Sequence, residues 1–236
     1  MRREQWEVSL HRDVEAWYLA ICESDPETAD LIEQAIDQLV AEGASLGRPL
    51  VDRIKGSGYH NMKELRPAST GATEIRILFA FDPMREAIFL VAGDKSGNWE
   101  RLVPRGGTAG GRTVRRAPEG SGGERAMNDS YSKWSDVRAK GRASDPRTPA
   151  EQVAGKELAR ERHEAHIRGH QLAEMRQAAE VTQAELAASL GVSQARVSKI
   201  EHGENSGIDV VRAYIHALGG HLDVIATIGG KSWRLA

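Results

Sequence analysis

Two stretches of this 236-residue sequence carry side chains that could do chemistry together. In the first, Lys63, Arg66, Arg76 and Lys95 punctuate short runs of β-branched and aromatic residues, with His60 just ahead of them. The planar forks of Arg66 and Arg76, carried on neighbouring strands, could clamp phosphate oxygens. Lys63 and Lys95 would add positive charge, and a lysine depressed by arginine neighbours can act as an acid or base. His60 is the histidine of the sheet-forming half that could shuttle a proton near neutral pH. Such a set suits a phosphodiester, with neither metal nor cofactor expected. A blander reading stays open: solvated strand-face cations, an ordinary loop histidine, and an Asp94 that caps a turn instead of holding Lys95.

The second stretch runs from Thr182 to Gly203. Leu186, Ala187 and Leu190 form the inward stripe of one short helix, with Ala187 small enough for a close helix crossing. Gly191 is placed to end that helix, Val192 to plug the core beneath the turn, and Ser193 to cap the next helix. Val197 and Ile200 face inward on that second helix. Gln194, Ala195, Arg196, Ser198 and Lys199 face outward and are short, polar or basic, as a helix entering a DNA major groove requires. A helical hairpin that packs and binds nothing would share the inward pattern.

Composition limits the setting. Apolar residues make up 40% and charged residues 28%, a soluble mixture with enough hydrophobe for packed cores. No apolar run approaches the roughly 20 residues of a membrane helix, and no signal core follows Met1, so a cytoplasmic protein is expected. A single cysteine, Cys22, rules out an internal disulfide and a cysteine-based zinc site. Residues 1–47 carry three basic against eleven acidic side chains, whereas residues 48–99 carry eight against six. That asymmetry fits an anionic ligand on one face.

The positioning elements follow from spacing. Trp6, Val8 and Leu10 alternate as in a half-buried strand, and Val14, Trp17, Tyr18 and Ile21 recur as in a helix. Asp25-Pro26-Glu27 starts a second helix on Leu31, Ile32, Ala35, Ile36, Leu39 and Val40, which Gly43 should stop. Strands are expected at Asn61–Leu65, Glu74–Phe81 and Ala87–Ala92, for a β-α-α-β-β-β order. Residues 100–126 hold seven glycines and little hydrophobe, the composition of a linker. Thr148-Pro149-Ala150-Glu151 is a capping box opening a helix to about Ala179, which could pack on the first domain or act as a spacer. Leu222, Val224, Ala226 and Ile228 alternate as a terminal strand closed by Gly229-Gly230.

Two resemblances add to this reading. Gln183-x-x-Leu186-Ala187-x-x-x-Gly191-Val192-Ser193 and Val197-Ser198-x-x-Glu201-x-Gly203 resemble the helix-turn-helix of the Cro/repressor (XRE) family over about Gln171–Gly219. The resemblance implies DNA-binding residues Thr182, Gln183, Ser193, Gln194, Arg196, Ser198 and Lys199, with Gln183 on a phosphate. Arg48–Gly56, His60–Arg66, Glu74–Asp82 and Ala92–Trp99 resemble the RelE/HigB toxin family in its Gp49-like branch, across nearly all of residues 4–99. This implies a metal-independent endoribonuclease with His60, Lys63, Arg66, Arg76 and Lys95 as catalytic residues. They would activate a 2′-hydroxyl, neutralise a phosphorane and protonate the leaving oxygen. HigB-type operons place the toxin before its XRE-type antitoxin, the order found here.

The join departs from that pattern. Such toxins continue past the Gly-Asp-Lys turn into a tryptophan-tyrosine pair and a final helix, whereas Trp99 is followed by Glu100-Arg101-Leu102-Val103-Pro104. A protease-site tag is one explanation of Leu102–Gly106. Another is a frameshift joining two genes, since one permitted back-translation of Leu102–Thr108 encodes tryptophan-tyrosine in the adjacent frame. Gly122-Gly123-Glu124 also permits a ribosome-binding sequence just before Met127.

The expected fold class is α+β: a RelE-like domain of two helices on a mostly antiparallel sheet, then an all-α helix-turn-helix domain with a terminal β-strand. Expected boundaries are 1–100 for the toxin domain, 101–126 for the linker, 127–169 for an antitoxin N-terminal region with its helix from about 149, and 170–236 for the DNA-binding domain. The expected function is a type II toxin–antitoxin fusion. Its C-terminal half binds operator DNA and neutralises an N-terminal half derived from a ribosome-dependent mRNA endonuclease, silent in the intact chain. The alternatives are a plain XRE-family transcription regulator with a catalytically dead interaction domain, and a free, active ribonuclease. Expected partners are operator DNA, mRNA on the ribosome if the toxin half is active, a toxin–antitoxin contact within or between chains, and a second copy in a homodimer. No membrane partner is expected. Leu222–Ile228 fits either an intersubunit strand or an internal edge strand.

Overall fold

Trp6 and Gly43 show how the first helices are fastened to the sheet. Strand β1 (Glu7–His11) leads into helix α1 (Arg12–Ser24), and α2 (Pro26–Glu42) follows after one residue. That residue, Asp25, accepts the Thr28 N–H at 3.2 Å and caps α2, with Pro26 in the first turn. Gly43 ends α2 at φ +60°, and a Cβ there would fall 1.8 Å from Nε1 of Trp6, so only glycine admits the indole. A computed structural model describes residues 6–54, 62–69, 73–95, 130–204 and 207–235. His60 and the expected linker and frameshift junction over 101–126 lie outside the described residues.

Five further strands complete one sheet: β2 (Val51–Arg53), β3 (Met62–Leu65), β4 (Ile75–Phe81), β5 (Glu86–Asp94) and β6 (Tyr131–Lys133). Their order is β2-β3-β4-β5-β1-β6, antiparallel throughout except for the parallel pair β1–β5. Phe79 and Phe89, with ring centroids 5.7 Å apart, are buried along with Val14 and Tyr18 of α1 and Leu31, Ile32, Ile36 and Leu39 of α2. Burial of these apolar surfaces drives the assembly.

Two expectations are corrected here, and one region gains elements that the spacing does not show. Val51–Arg53 forms a strand that sequence spacing does not reveal, because three residues are too few to show a period of two. Val8, Ser9 and Leu10 are all buried, so β1 is not half-buried. It is an interior strand with β5 on one side and β6 on the other. The region that gains elements is the stretch before residue 149. Strand β6 is followed at once by helix α3 (Trp134–Ser144), whose buried Trp134, Val137 and Gly141 recur at helical spacing.

Helix α4 spans Pro149–Ala178, opened by the expected box: the Thr148 N–H donates to Glu151 Oε2 at 2.8 Å, and the Glu151 N–H returns to Thr148 Oγ1 at 3.4 Å. The chain divides within α4 into two compact units, Met1–His163 and Glu164–Ala236. Residues 130–163 thus belong with the first unit. Its sequence-distant halves meet through α1 and α3, where the Tyr18 and Trp134 rings lie 5.0 Å apart, and through Ala159 of α4, buried with Leu31 and Ala68.

The second unit adds α5 (Gln183–Leu190), α6 (Gln194–Glu201), α7 (Ile208–Ala217), β7 (Ile225–Ile228) and β8 (Lys231–Arg234). Leu172, Leu186, Ala187, Val197, Ile200 and Tyr214 are its core. Two corrections apply. The terminal strand starts at Ile225 rather than Leu222 and pairs with β8 as a hairpin through Gly229 and Gly230. Val192 does not plug the core; it is 40% exposed, because the left-handed turn at Gly191 (φ +65°) carries it outward.

Candidate phosphodiester site and nucleic-acid interface

Strand register decides which cations of the first unit meet. Leu65 pairs with Ile77, so the next step places Arg66 opposite Arg76. Both side chains emerge on one face, since residues of like parity share a face. Between them stands Glu64, 9% exposed, with Oε1 2.7 Å from Arg76 Nε and Oε2 3.3 Å from Arg66 Nη2. The array extends both ways. Asp52 Oδ2 lies 3.1 Å from Arg66 and 2.8 Å from Arg48, while Glu74 Oε2 lies 3.2 Å from Arg76. Burial pushes the Asp52 carboxyl up, but the Arg53 backbone N–H and the Arg48 and Arg66 guanidinium groups outweigh it and hold the carboxyl below its usual range.

Lys63 is separated from this array. One residue before Glu64, it belongs to the opposite face, where Nζ sits 5.1 Å from the Phe81 ring centre and 3.4 Å from the Ala44 carbonyl. Burial, then the nearby Arg53 charge, lowers its pKa. Lys95 is exposed; its N–H donates to the Glu74 carbonyl at 2.8 Å, a pairing that returns it to the arginine face. Asp94 caps the start of β4, accepting the Glu74 N–H at 2.9 Å. The structure therefore gathers Arg66, Arg76 and Lys95 on one face, sets Lys63 on the other, and does not describe His60. Sequence reasoning missed Glu64 and Asp52 as the groups that hold the arginines. The alternation Glu64–Leu65–Arg66 carries that signal, because residues two apart on a strand are face neighbours.

In the second unit, Thr182 caps α5, with its Oγ1 accepting the Glu185 N–H at 3.2 Å and its own N–H donating to Glu185 Oε2 at 2.8 Å. Ser193 caps α6 by accepting the Arg196 N–H at 3.2 Å. Gln194 and Lys199 are exposed and Ser198 is half-buried on the outward side of α6, with Arg196 half-buried on its flank. Lys199 Nζ lies 3.4 Å from Glu204. The Gln183 side chain, however, turns inward and donates to Glu201 Oε2 at 2.8 Å.

Glu201 is the hub beneath the two helices. Its carboxylate receives Arg176 at 2.6 and 2.9 Å, Gln183, and the Tyr214 hydroxyl at 2.7 Å. Burial raises the Glu201 pKa, but these donors outweigh it and hold the carboxyl below its ordinary range. Burial, with the neighbouring Glu201 charge, lifts the Tyr214 hydroxyl well above its ordinary value. Gly169 lets α4 approach this point, since a Cβ there would fall 2.6 Å from the Glu201 carbonyl.

Among the described residues, no cluster of three or more His, Cys, Asp or Glu side chains is placed to hold a metal ion, and no helix is long and apolar enough to cross a membrane.

The sequence profile of the phage-derived Gp49-like family (DUF891) matches residues 21–104, and a helix-turn-helix profile matches residues 172–225. A Mycobacterium tuberculosis protein named as the toxin HigB3 is 52% identical over 94 residues, covering 40% of this chain and 77% of its own. The toxin HigB2 of the same organism is 51% identical over 94 residues, again 40% of this chain, and the match spans only 45% of its length. The antitoxin HigA3 of that organism is 42% identical over 105 residues, covering 43% of this chain and 93% of its own. A solved structure titled as DNA-bound antitoxin HigA3 matches at 46% identity over 27% of this chain and 86% of its own, with a TM-score of 0.26. Another, titled for DNA bending by dimerisation of a HigA antitoxin, matches at 48% identity over 27% of this chain and 88% of its own, with a TM-score of 0.25. On the identity and coverage shared with HigB3 and HigA3, the chain belongs to the HigB–HigA toxin–antitoxin family, with the HigB-type domain first and the HigA-type helix-turn-helix domain second.

Proposed function

We propose that this chain is a self-silenced toxin–antitoxin protein whose working output is binding to operator DNA. The observation that carries the reading is the packing of residues 130–163, antitoxin-side sequence, onto the HigB-type sheet and helices inside one compact unit. The inhibitor is thereby held at high effective concentration on the domain it restrains. The second unit presents α6 with Gln194, Ser198 and Lys199 outward and Arg196 at its flank, donors and cations suited to base edges and phosphates. Thr182 and Ser193 serve as helix caps whose neighbouring N–H groups approach the DNA backbone, and Gln183 orients Glu201 beneath them. Two copies joining through the apolar β7–β8 hairpin would match a two-fold operator.

The HigB-type domain derives from an mRNA endonuclease working on the ribosome. Arg66, Arg76 and Lys95 are its phosphate-facing groups, Lys63 and His60 supply further charge and proton transfer, and Glu64 holds the arginine pair. Glu64, Asp52 and Glu74 hold the two guanidinium groups in place, and the docked residues 130–163 keep the domain silent in the intact chain. The full-length chain titrated against DNA from upstream of its own coding sequence should bind at nanomolar concentration and lose affinity steeply with salt. Equal affinity for unrelated DNA at every salt concentration would overturn the operator reading.

A further inference from the structure

Helix α2 carries five acidic side chains and no basic one. Asp30, Glu33 and Asp37 are spaced three and four apart, so they line one stripe of the helix. Asp30 and Glu33 are 3% and 5% exposed, which is costly for carboxylates unless cations meet them. Among the described residues, the cations that do so come from residues 130–163, a segment with eight basic and five acidic side chains. Arg138 Nε donates to Glu33 Oε2 at 3.0 Å while its Nη2 reaches Asp37. Arg147 Nη1 lies 2.8 Å from Asp30, and Asp145 holds that guanidinium from behind at 2.8 Å.

The rest of the contact is less selective. Lys133 pairs with Glu7 and Glu86, Lys140 with Glu15 and Arg162 with Glu27, but these cations are 42–58% exposed, where an ion pair contributes little. Strand β6 joins β1 over three register pairs, by backbone bonds that many sequences could make. The apolar patch around Trp134, Val137 and Gly141 rewards any small-and-large pattern of similar volume. Charge position is what a wrong segment would fail, because a missing or reversed partner strands a buried carboxylate.

We infer that the acidic stripe of α2 is the specificity surface of the HigB-type domain. It accepts an antitoxin segment bearing arginines at the positions of Arg138 and Arg147, whether from its own chain or from a second copy. This rests on the toxin–antitoxin reading for its meaning, although its test does not.

Cys22 provides the readout. It is the chain's sole cysteine, 4% exposed, and lies directly beneath Gly141 of α3: a Cβ there would fall 2.8 Å from the sulfur. Undocking of α3 opens the thiol. In the full-length chain, maleimide labelling of Cys22 should be slow and should rise at least about tenfold in Arg138→Glu. Adding Asp37→Arg to that variant should restore part of the protection, since one of the two ion pairs is re-formed with reversed sign and Glu33 keeps Arg142 and Lys156 nearby. Arg138→Met, which keeps the stem against Trp134 and loses the charge, should fall between. Circular dichroism separates undocking from unfolding. If Arg138→Glu labels like wild type, or if the swap labels like the single variant with the fold intact, strand pairing and apolar contact set the recognition and the inference fails. Neither result depends on RNA cleavage or DNA binding, so the functional reading stands or falls separately.

Discussion

Gln183, the first residue of α5, is tied to Glu201, the last residue of α6, by a 2.8 Å hydrogen bond that crosses the helix-turn-helix from beneath. The residue expected on a phosphate is therefore part of the scaffold that sets the angle between the two helices. Arg176 and Tyr214 complete the same knot.

Glu201→Ala should destabilise the second unit by about 3–5 kcal/mol, because it leaves the 8%-exposed Arg176 guanidinium buried and unpaired. The check is thermal denaturation followed by circular dichroism, looking for selective loss of the transition belonging to residues 164–236. The native Glu201 pKa is depressed, so its contribution is complete above the ordinary carboxylate value of 4.5 and fades as pH falls through the lower native value. Glu201→Gln should flatten that acid-side slope. An unchanged slope would remove Glu201 from the account.

Arg196→Ala should weaken operator binding by about 1–3 kcal/mol if it reads a base, or reduce the salt slope by about one if it meets a phosphate. Its side chain is outside the core cluster, so the melting temperature should hold. Fluorescence anisotropy across a salt series separates the two roles. Unchanged affinity and slope would remove α6 as the recognition helix.

Expression of residues 1–126 should arrest growth, and Arg66→Ala or Arg76→Ala should each relieve the arrest. Glu64→Gln should also relieve it, because both guanidinium groups lose the carboxylate that places them. Colony counts after induction, with immunoblots for protein level, are the measure. Arrest that survives both arginine substitutions would move the chemistry elsewhere.

Gly141→Ala sets two effects against each other. Alanine favours a helix over glycine by about 1 kcal/mol. The new Cβ would meet Cys22 Sγ at 2.8 Å and Tyr18 Cε1 at 3.0 Å, and overpacking of this kind costs about 1–3 kcal/mol. The net outcome should be a lower melting temperature for the first unit. A rise would mean that α3 does not press on α1.

Ile225, Ile228, Trp233 and Leu235 expose apolar surface on or beside the β7–β8 hairpin, at 64%, 71%, 46% and 67%. Ile225→Asp should shift the chain from dimer to monomer in light scattering at micromolar concentration and weaken operator binding with it. A dimer that persists would place the two-fold contact on another surface.

The helix-turn-helix was legible because its signals are local. Thr182 and Ser193 as caps, Gly191 as a left-handed stop, and Val197 and Ile200 as an inward pair need only the few residues around them. For the same reason Asp25, Pro26 and Gly43 mark the ends of α2 in the sequence itself. Residues 130–144 were not legible in the same way. A three-residue strand and an eleven-residue helix with a weak apolar stripe gain their stability from β1, α1 and α2, through contacts such as Arg138 to Asp37 that span 101 positions.

Sequence alone determined the two families, their order and the helix-turn-helix. Those are properties of residue type and short-range spacing. Tertiary structure decided that Arg66 and Arg76 face each other across Glu64 while Lys63 faces away, because register and strand parity are set by pairing with other strands. It also decided that Gln183 turns inward to Glu201, and that the acidic stripe of α2 is filled by Arg138 and Arg147. A buried charge takes its partner from whatever the fold brings within a few ångströms, and spacing along the chain does not specify that partner.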